Sequence, residues 1–169
     1  CLRMNAGAMG VEAFDQVERL RYADDEGNIF EKSPRDLEVH YRNVPILRTN
    51  YALSAVFRGE PSSPGEVERR TRDYATKRKS SQPVGASAGC IFRNPVNAKA
   101  GQLIDASGLK EAQVGAAQVS GVHANFILNK GGATASEVLA LVEQVRAEVL
   151  KKQGVRLETE VQIIGEEAT

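Results

Sequence analysis

The chain has 169 residues, 41% apolar and 26% charged, which is the make-up of a globular domain with a real core and excludes a disordered chain. Lys+Arg and Asp+Glu both number 22, so no global field draws the chain to nucleic acid or a membrane surface, and an anionic ligand would have to be held by local cations. Two cysteines, Cys1 and Cys90, make neither a disulfide scaffold nor a C-x-x-C spacing, and no run approaches the roughly 20 apolar residues of a membrane helix, so a reducing cytosol is the default.

The chain opens on Cys1 and runs into Asn5-Ala6-Gly7-Ala8-Met9-Gly10, which reads as an interior glycine-bearing turn, so a piece of a longer protein is expected. Val17 to Tyr22 and Ile29-Phe30 read as two strands of a hairpin around Asp24-Asp25-Glu26-Gly27-Asn28, with Gly27 at positive φ. Ser33-Pro34 looks like a helix start, and Ala52 to Arg58 like a strand, making residues 1 to about 59 mostly β. Pro61-Ser62-Ser63-Pro64-Gly65 breaks the composition and marks the expected domain boundary, giving domains 1–59 and 60–169.

Ser63 and Glu66 form a capping box with Pro64 at the first helical position, and Val67, Thr71, Tyr74 and Ala75 supply a modest apolar face up to about Ser80. The basic residues on that helix are diluted by Glu66, Glu68 and Asp73, so a solvated face is favoured over a nucleic-acid surface. Ala100 to Ser107 reads as a short helix closed by Gly108, and Val122 to Leu128 as a strand. Thr134 and Glu137 begin a helix whose Val138, Leu141, Val142, Val145 and Val149 share one face, and Gly154 stops it. From Val155 to Ile163 apolar and polar residues alternate, the pattern of a strand buried on one side with Glu160 on its polar face. The C-terminal part is therefore α+β or α/β.

Gly89-Cys90-Ile91-Phe92-Arg93-Asn94-Pro95 concentrates chemistry: small residues that let backbone approach a ligand, a thiol, a cation and an amide. On local sequence alone Cys90 is either a packed structural thiol or an exposed acidic one, and Asn94 either a ligand contact or an Asx turn before Pro95. Arg42 after Tyr41, and Glu160, read locally as surface residues. His123 enters an apolar strand, and with His40 as its lone companion it supports no metal site.

Read with Tyr41-Arg42 and Leu157-Glu158-Thr159-Glu160-Val161, that loop resembles the UDP-N-acetylenolpyruvoylglucosamine reductases, FAD enzymes of peptidoglycan precursor synthesis. Their motif has Gly-Ser-x-Phe-Lys-Asn-Pro, and Cys90 stands at the serine. The resemblance implies an α+β chain comprising the end of a FAD-binding domain of the vanillyl-alcohol-oxidase type and then an α/β substrate-binding domain. It implies FAD as cofactor, NADPH as hydride donor, the enolpyruvyl ether of UDP-N-acetylglucosamine as substrate, and a cytoplasmic monomer with no metal, nucleic-acid or membrane partner. Cys90 would protonate a substrate carbon, for which a thiol of reference pKa about 8.5 is a better donor than an alcohol. Arg42 would meet the substrate carboxylate, and Glu160 would be the third catalytic group. Tyr41, Lys79, Arg93, Asn94 and His123 would bind substrate, while Asn5, Ala6, Gly7 and Ala8 would lie beside the flavin with backbone groups making the contacts. Val44 and Met9 replace the family's serine and tyrosine. The short spacing between Phe57 and Gln82 favours the family's shorter subtype, and the piece alone is expected to be inactive. The rival readings are a truncated, non-catalytic UDP-sugar-binding module and a cysteine acyltransferase or hydrolase using Cys90 and His123.

Overall fold

The computed structural model describes residues 1–165 and divides into two compact units, Cys1–Pro64 and Gly65–Thr169. In the first unit a two-residue corner, Met9 (φ 58) and Gly10 (φ 87), joins β1 (Gly7–Ala8) to β2 (Val11–Glu12). Positive φ at both corner residues matches the twist of a tight hairpin. The hairpin expected around Gly27 is present as β3 (Val17–Ala23) and β4 (Ile29–Lys32), and β5 (Tyr51–Phe57) pairs with the other edge of β3, all antiparallel. Val17, Leu20 and Tyr22 from β3 are buried with Phe14, Val44 and Leu47, and this cluster is the unit's core. Ser33-Pro34 begins only a single 3-10 turn, Pro34–Asp36.

α1 (Pro64–Ser81) begins at the expected proline, the last residue of the first unit, and opens the second from Gly65 on. Its apolar face is not buried: Val67 is 53% and Tyr74 52% exposed. Over its first half the helix carries a set of pairs one turn apart, Glu66 with Arg69 and Arg70, Arg69 with Asp73, and Arg72 with Glu68. A four-stranded sheet follows in the order β6 (Ala86–Cys90), β9 (Phe126–Asn129), β8 (Ala117–Val119) and β7 (Gln113–Val114), every pairing antiparallel. With helices α2 (Ala100–Ala106) and α3 (Ala135–Gln153) added, the unit is α+β, because no parallel crossover exists among the described residues.

α3 has the expected limits. Thr134 Oγ1 accepts from Glu137 N, the Glu137 carboxylate accepts from Thr134 N, and Gly154 closes the other end in the left-handed conformation. Leu141, Val142, Val145 and Val149 are buried against Val119 and Ile127 of the sheet and Ile104 of α2. Burial of such side chains is worth about 1.5–3 kcal/mol each before entropy is counted.

Two expected strands differ. Val122 to Leu128 is shortened to Phe126–Asn129, because Ser120 Oγ accepts from the N–H groups of Val122 and His123 and folds that stretch into a turn. His123 thus lies in a turn and not on a strand. The stretch from Val155 to Ile163 buries Leu157, yet it forms only an isolated bridge, Thr159 to Phe92, and Ile163 is exposed. Glu160 N and Val161 N both approach Ile91 O, at 2.7 and 3.4 Å, so two residues oppose one and the alternation is lost there. Glu160 is in consequence half-buried and not on a solvated face.

Two outcomes follow from these contacts. A Cβ on Gly115 (φ 54) would overlap the Glu137 carboxylate and displace the group that caps α3. Gly115→Ala should therefore cost about 2 kcal/mol, from left-handed strain plus the lost cap. In urea titrations the loss should exceed that of Gly132→Ala, which adds a methyl in open space at φ 77. At the β3–β4 turn, Asn28 Nδ2 foremost, with the N–H groups of Asn28 and Glu26, bonds the Asp24 carboxylate and holds its pKa below the ordinary range, outweighing the desolvation that pulls the other way. A depressed folded pKa stabilises above the unfolded value of about 3.9 and stops doing so as pH falls through the folded value. The thermal midpoint of Asp24→Ala should lie below that of the parent at pH 7, and the gap should close in strong acid.

Candidate functional site

The second unit holds Cys90 at the end of β6, next to the bulge between Ser87 and Cys90 and after Gly89 (φ 81). Cys90 pairs with Phe126 and is half-buried. The next residues are held on both edges. On one, Ile91 N donates to Asn125 O at 2.9 Å, Phe92 N donates to Asn125 Oδ1 at 2.9 Å, and Asn125 Nδ2 donates to Phe92 O at 2.8 Å. On the other, Glu160 N donates to Ile91 O at 2.7 Å and Arg93 N to Glu158 O at 2.8 Å. The side chains of Ile91 and Phe92 are buried in the core. The segments carrying Cys90 and Glu160, distant in sequence, are thus joined through one intervening peptide group.

Around that loop, Arg93 Nε is buried and meets no acceptor among the described residues. An orphaned guanidinium N–H of this kind is costly unless an oxygen reaches it, which suits an anionic or carbonyl ligand. Asn94 Oδ1 accepts from Ala100 N at 3.0 Å and so caps α2, where Lys99 supplies no side-chain cap. His123 Nδ1 accepts from Asn125 N at 3.2 Å, which places the proton of the neutral ring on Nε2. Its ring lies edge-on to Phe126 at 5.0 Å and close over Gly101. With Nδ1 occupied as an acceptor, no carboxylate can orient the ring through an Nδ1–H, which counts against the Cys90–His123 hydrolase reading. Lys79 is exposed near the end of α1. Among the described residues no group of three metal-ligating side chains is assembled, and no helix is long and apolar enough to cross a membrane.

The first unit holds Tyr41 and Arg42. His40 and Asn43 bracket them, with His40 N donating to Asn43 O at 2.8 Å and Asn43 N to His40 O at 3.1 Å, and Arg42 takes φ 55. The guanidinium lies 4.9 Å from the centroid of the Tyr41 ring. Arg48 Nε donates to Asn43 Oδ1, and buried Val44 donates its N–H to Arg3 O, so this turn is tied to the segment leading into Asn5. Valine at 44 is explained by its complete burial in the core. Asn5 is itself buried, its Oδ1 accepting from Phe14 N and its Nδ2 donating to Glu12. Its side chain is engaged within the fold. Gly7 and Ala8 lie on a two-stranded ladder; Ala13 N donates to Ala6 O and Ala8 faces Val11 across the tight turn, so the alternation of the ladder directs the Gly7 N–H and C=O away from the partner strand. A surface cleft of about 350 Å³ elsewhere in this unit, with the Arg58–Glu18 ion pair in its wall, contains none of the expected site residues.

The structure therefore groups Cys90, Arg93, Asn94, His123 and Glu160 on one unit, and Tyr41, Arg42 and Asn5 to Ala8 on the other. Sequence reasoning missed Asn125. Its one signal is a polar residue inside the apolar run Ala124-Asn125-Phe126-Ile127, where a buried amide must find partners.

Residues 80–164 match the family described as UDP-N-acetylenolpyruvoylglucosamine reductase, C-terminal domain. A relative named UDP-N-acetylenolpyruvoylglucosamine reductase from Alkalilimnicola ehrlichii is 43% identical over 166 residues, covering 98% of this chain and 56% of the relative. A second of that name, from Geobacter metallireducens, is 41% identical over 167 residues, covering 98% and 55%. The crystal structure of UDP-N-acetylenolpyruvylglucosamine reductase from Thermus caldophilus superposes with a TM-score of 0.82 at 34% identity, covering 95% of this chain and 57% of that one. The chain spans about half the length of the curated relatives it matches. On the family match, the shared sequence and the shared fold, the chain belongs to the UDP-N-acetylenolpyruvoylglucosamine reductase family.

Proposed function

We propose that the protein containing this chain reduces UDP-N-acetylenolpyruvoylglucosamine to UDP-N-acetylmuramate with FAD and NADPH, as a cytoplasmic monomer. The observation that carries this reading is the junction at Ile91, which brings the Glu160 segment against the Cys90 loop beside the unsatisfied Nε of Arg93. Residues 1–59 would complete a FAD-binding domain and residues 60–169 the substrate domain. The outward N–H and C=O of Gly7 suit a flavin ring, whose carbonyl and N–H groups need backbone partners of that kind. A flavin held there would supply the hydride chemistry between NADPH and the terminal methylene carbon of the substrate.

The chain's own residues would supply the rest. The Cys90 S–H delivers the proton to the adjacent carbon, so hydride and proton together reduce the C=C bond by two electrons. Arg42, permanently charged and braced over Tyr41, meets the enolpyruvyl carboxylate, where negative charge grows as hydride arrives. Glu160 assists in holding or protonating that species. Arg93 and Lys79 provide local cations for an anionic sugar nucleotide that a chain of zero net charge cannot attract globally. His123 offers an Nε2–H, and Asn94 and Tyr41 line the substrate. A UDP-sugar-binding module without catalysis would use the same cations but no proton donor.

Cys90→Ala in the full-length protein separates the two readings. Stopped-flow absorbance should show flavin reduction by NADPH at the parental rate and reoxidation by substrate slowed by about 10²–10⁴-fold. Equal loss in both half-reactions would overturn the proton-donor role.

A further inference from the structure

We infer that Asn125 is a positioning residue for the Cys90 thiol, its side-chain amide standing in for a peptide group at the point where the main chain leaves the sheet. The β6–β9 ladder runs through Cys90–Phe126 and then Ile91 N to Asn125 O. One step further the backbone of β9 has already turned away, through the Ser120 and His123 turn. The next ladder position, opposite Phe92, is filled by the Asn125 carboxamide, which accepts from Phe92 N and donates to Phe92 O. A primary amide has the same acceptor and donor pair as a peptide group, and Asn125 is 97% buried, so water cannot replace it there. The strand from Cys90 to Arg93 is thereby paired on both edges, with Asn125 on one and Glu158 and Glu160 on the other. The thiol leaves a backbone that cannot shift toward or away from Glu160.

This inference rests on the catalytic reading of Cys90, and its test is built to fail separately. Asn125→Asp in the full-length protein keeps the shape but, when ionised, places an oxygen against Phe92 O. When protonated it regains both bonds. Burial and the facing carbonyl raise the pKa of the new carboxyl above about 3.9. Reoxidation by substrate should be slowed by about 10²-fold at neutral pH, as for a small misplacement of a reacting group, and should recover on the acid side of an ionisation absent from the parent. Flavin reduction by NADPH should be unchanged. A second readout needs no cofactor: the pH profile of iodoacetamide labelling at Cys90, followed by peptide mass spectrometry, should acquire the same ionisation, while exposed Cys1 labels as in the parent.

A lowered thermal midpoint with parental reoxidation and parental Cys90 labelling would make Asn125 merely structural and overturn the inference. Should Asn125→Asp not fold at neutral pH, Asn125→Ser supplies the labelling comparison, and an unaltered Cys90 rate there overturns the inference as well. If Cys90→Ala leaves reoxidation intact while the Asn125 variants alter Cys90 labelling, the catalytic reading fails and the placement of the thiol stands.

Discussion

The double pairing of Ile91, Phe92 and Arg93 is the constraint on which the candidate site depends. Each edge alone would leave a loop, since the bulge before Cys90 interrupts β6 and the 155–163 stretch makes only an isolated bridge. Together they turn a glycine-rich segment into the inner strand of a short pairing, with Ile91 and Phe92 buried beneath it. The ordering cost is met on folding and not when a ligand arrives, which is what a preorganised site requires.

That constraint is supported from below by the core. α3 lays four buried aliphatic residues across β8 and α2, and Leu157 enters the same cluster just before the chain reaches Phe92. Glu137 caps the start of α3, and its side chain also fills the space left by the missing Cβ of Gly115, locking the β7–β8 corner to the helix. Asn94 performs a like service for α2. Polar residues that look like ligand contacts in a motif can thus be employed in holding the motif's own scaffold, and an amide already donating or accepting inside the fold has less capacity left for a ligand.

The first unit carries unusual backbone at its candidate turns. Asn5, Met9 and Arg42 all take positive φ, a conformation that costs a side-chain-bearing residue about 1–2 kcal/mol. Asn5 is compensated by two side-chain hydrogen bonds, and Arg42 by the His40–Asn43 pair and the Arg48–Asn43 bond. Such outliers persist where the surroundings over-determine them, and here they fall at the two turns for which the family resemblance implies a role.

The sequence by itself determined where α1, α2 and α3 begin, the glycine that stops α3, and the hairpin around Gly27, because capping boxes, proline and glycine act within a few residues of chain. It also marked Leu157 and the apolar face of α3 as core, since both follow from periodicity. Only the tertiary structure decided that Val155 to Ile163 is not a strand, that His123 sits in a turn, that Asn94 caps a helix, and that Asn125 completes the ladder beside the thiol. Those outcomes rest on hydrogen bonds between residues distant in sequence or on a side chain imitating the backbone, and neither leaves a period or a spacing to read.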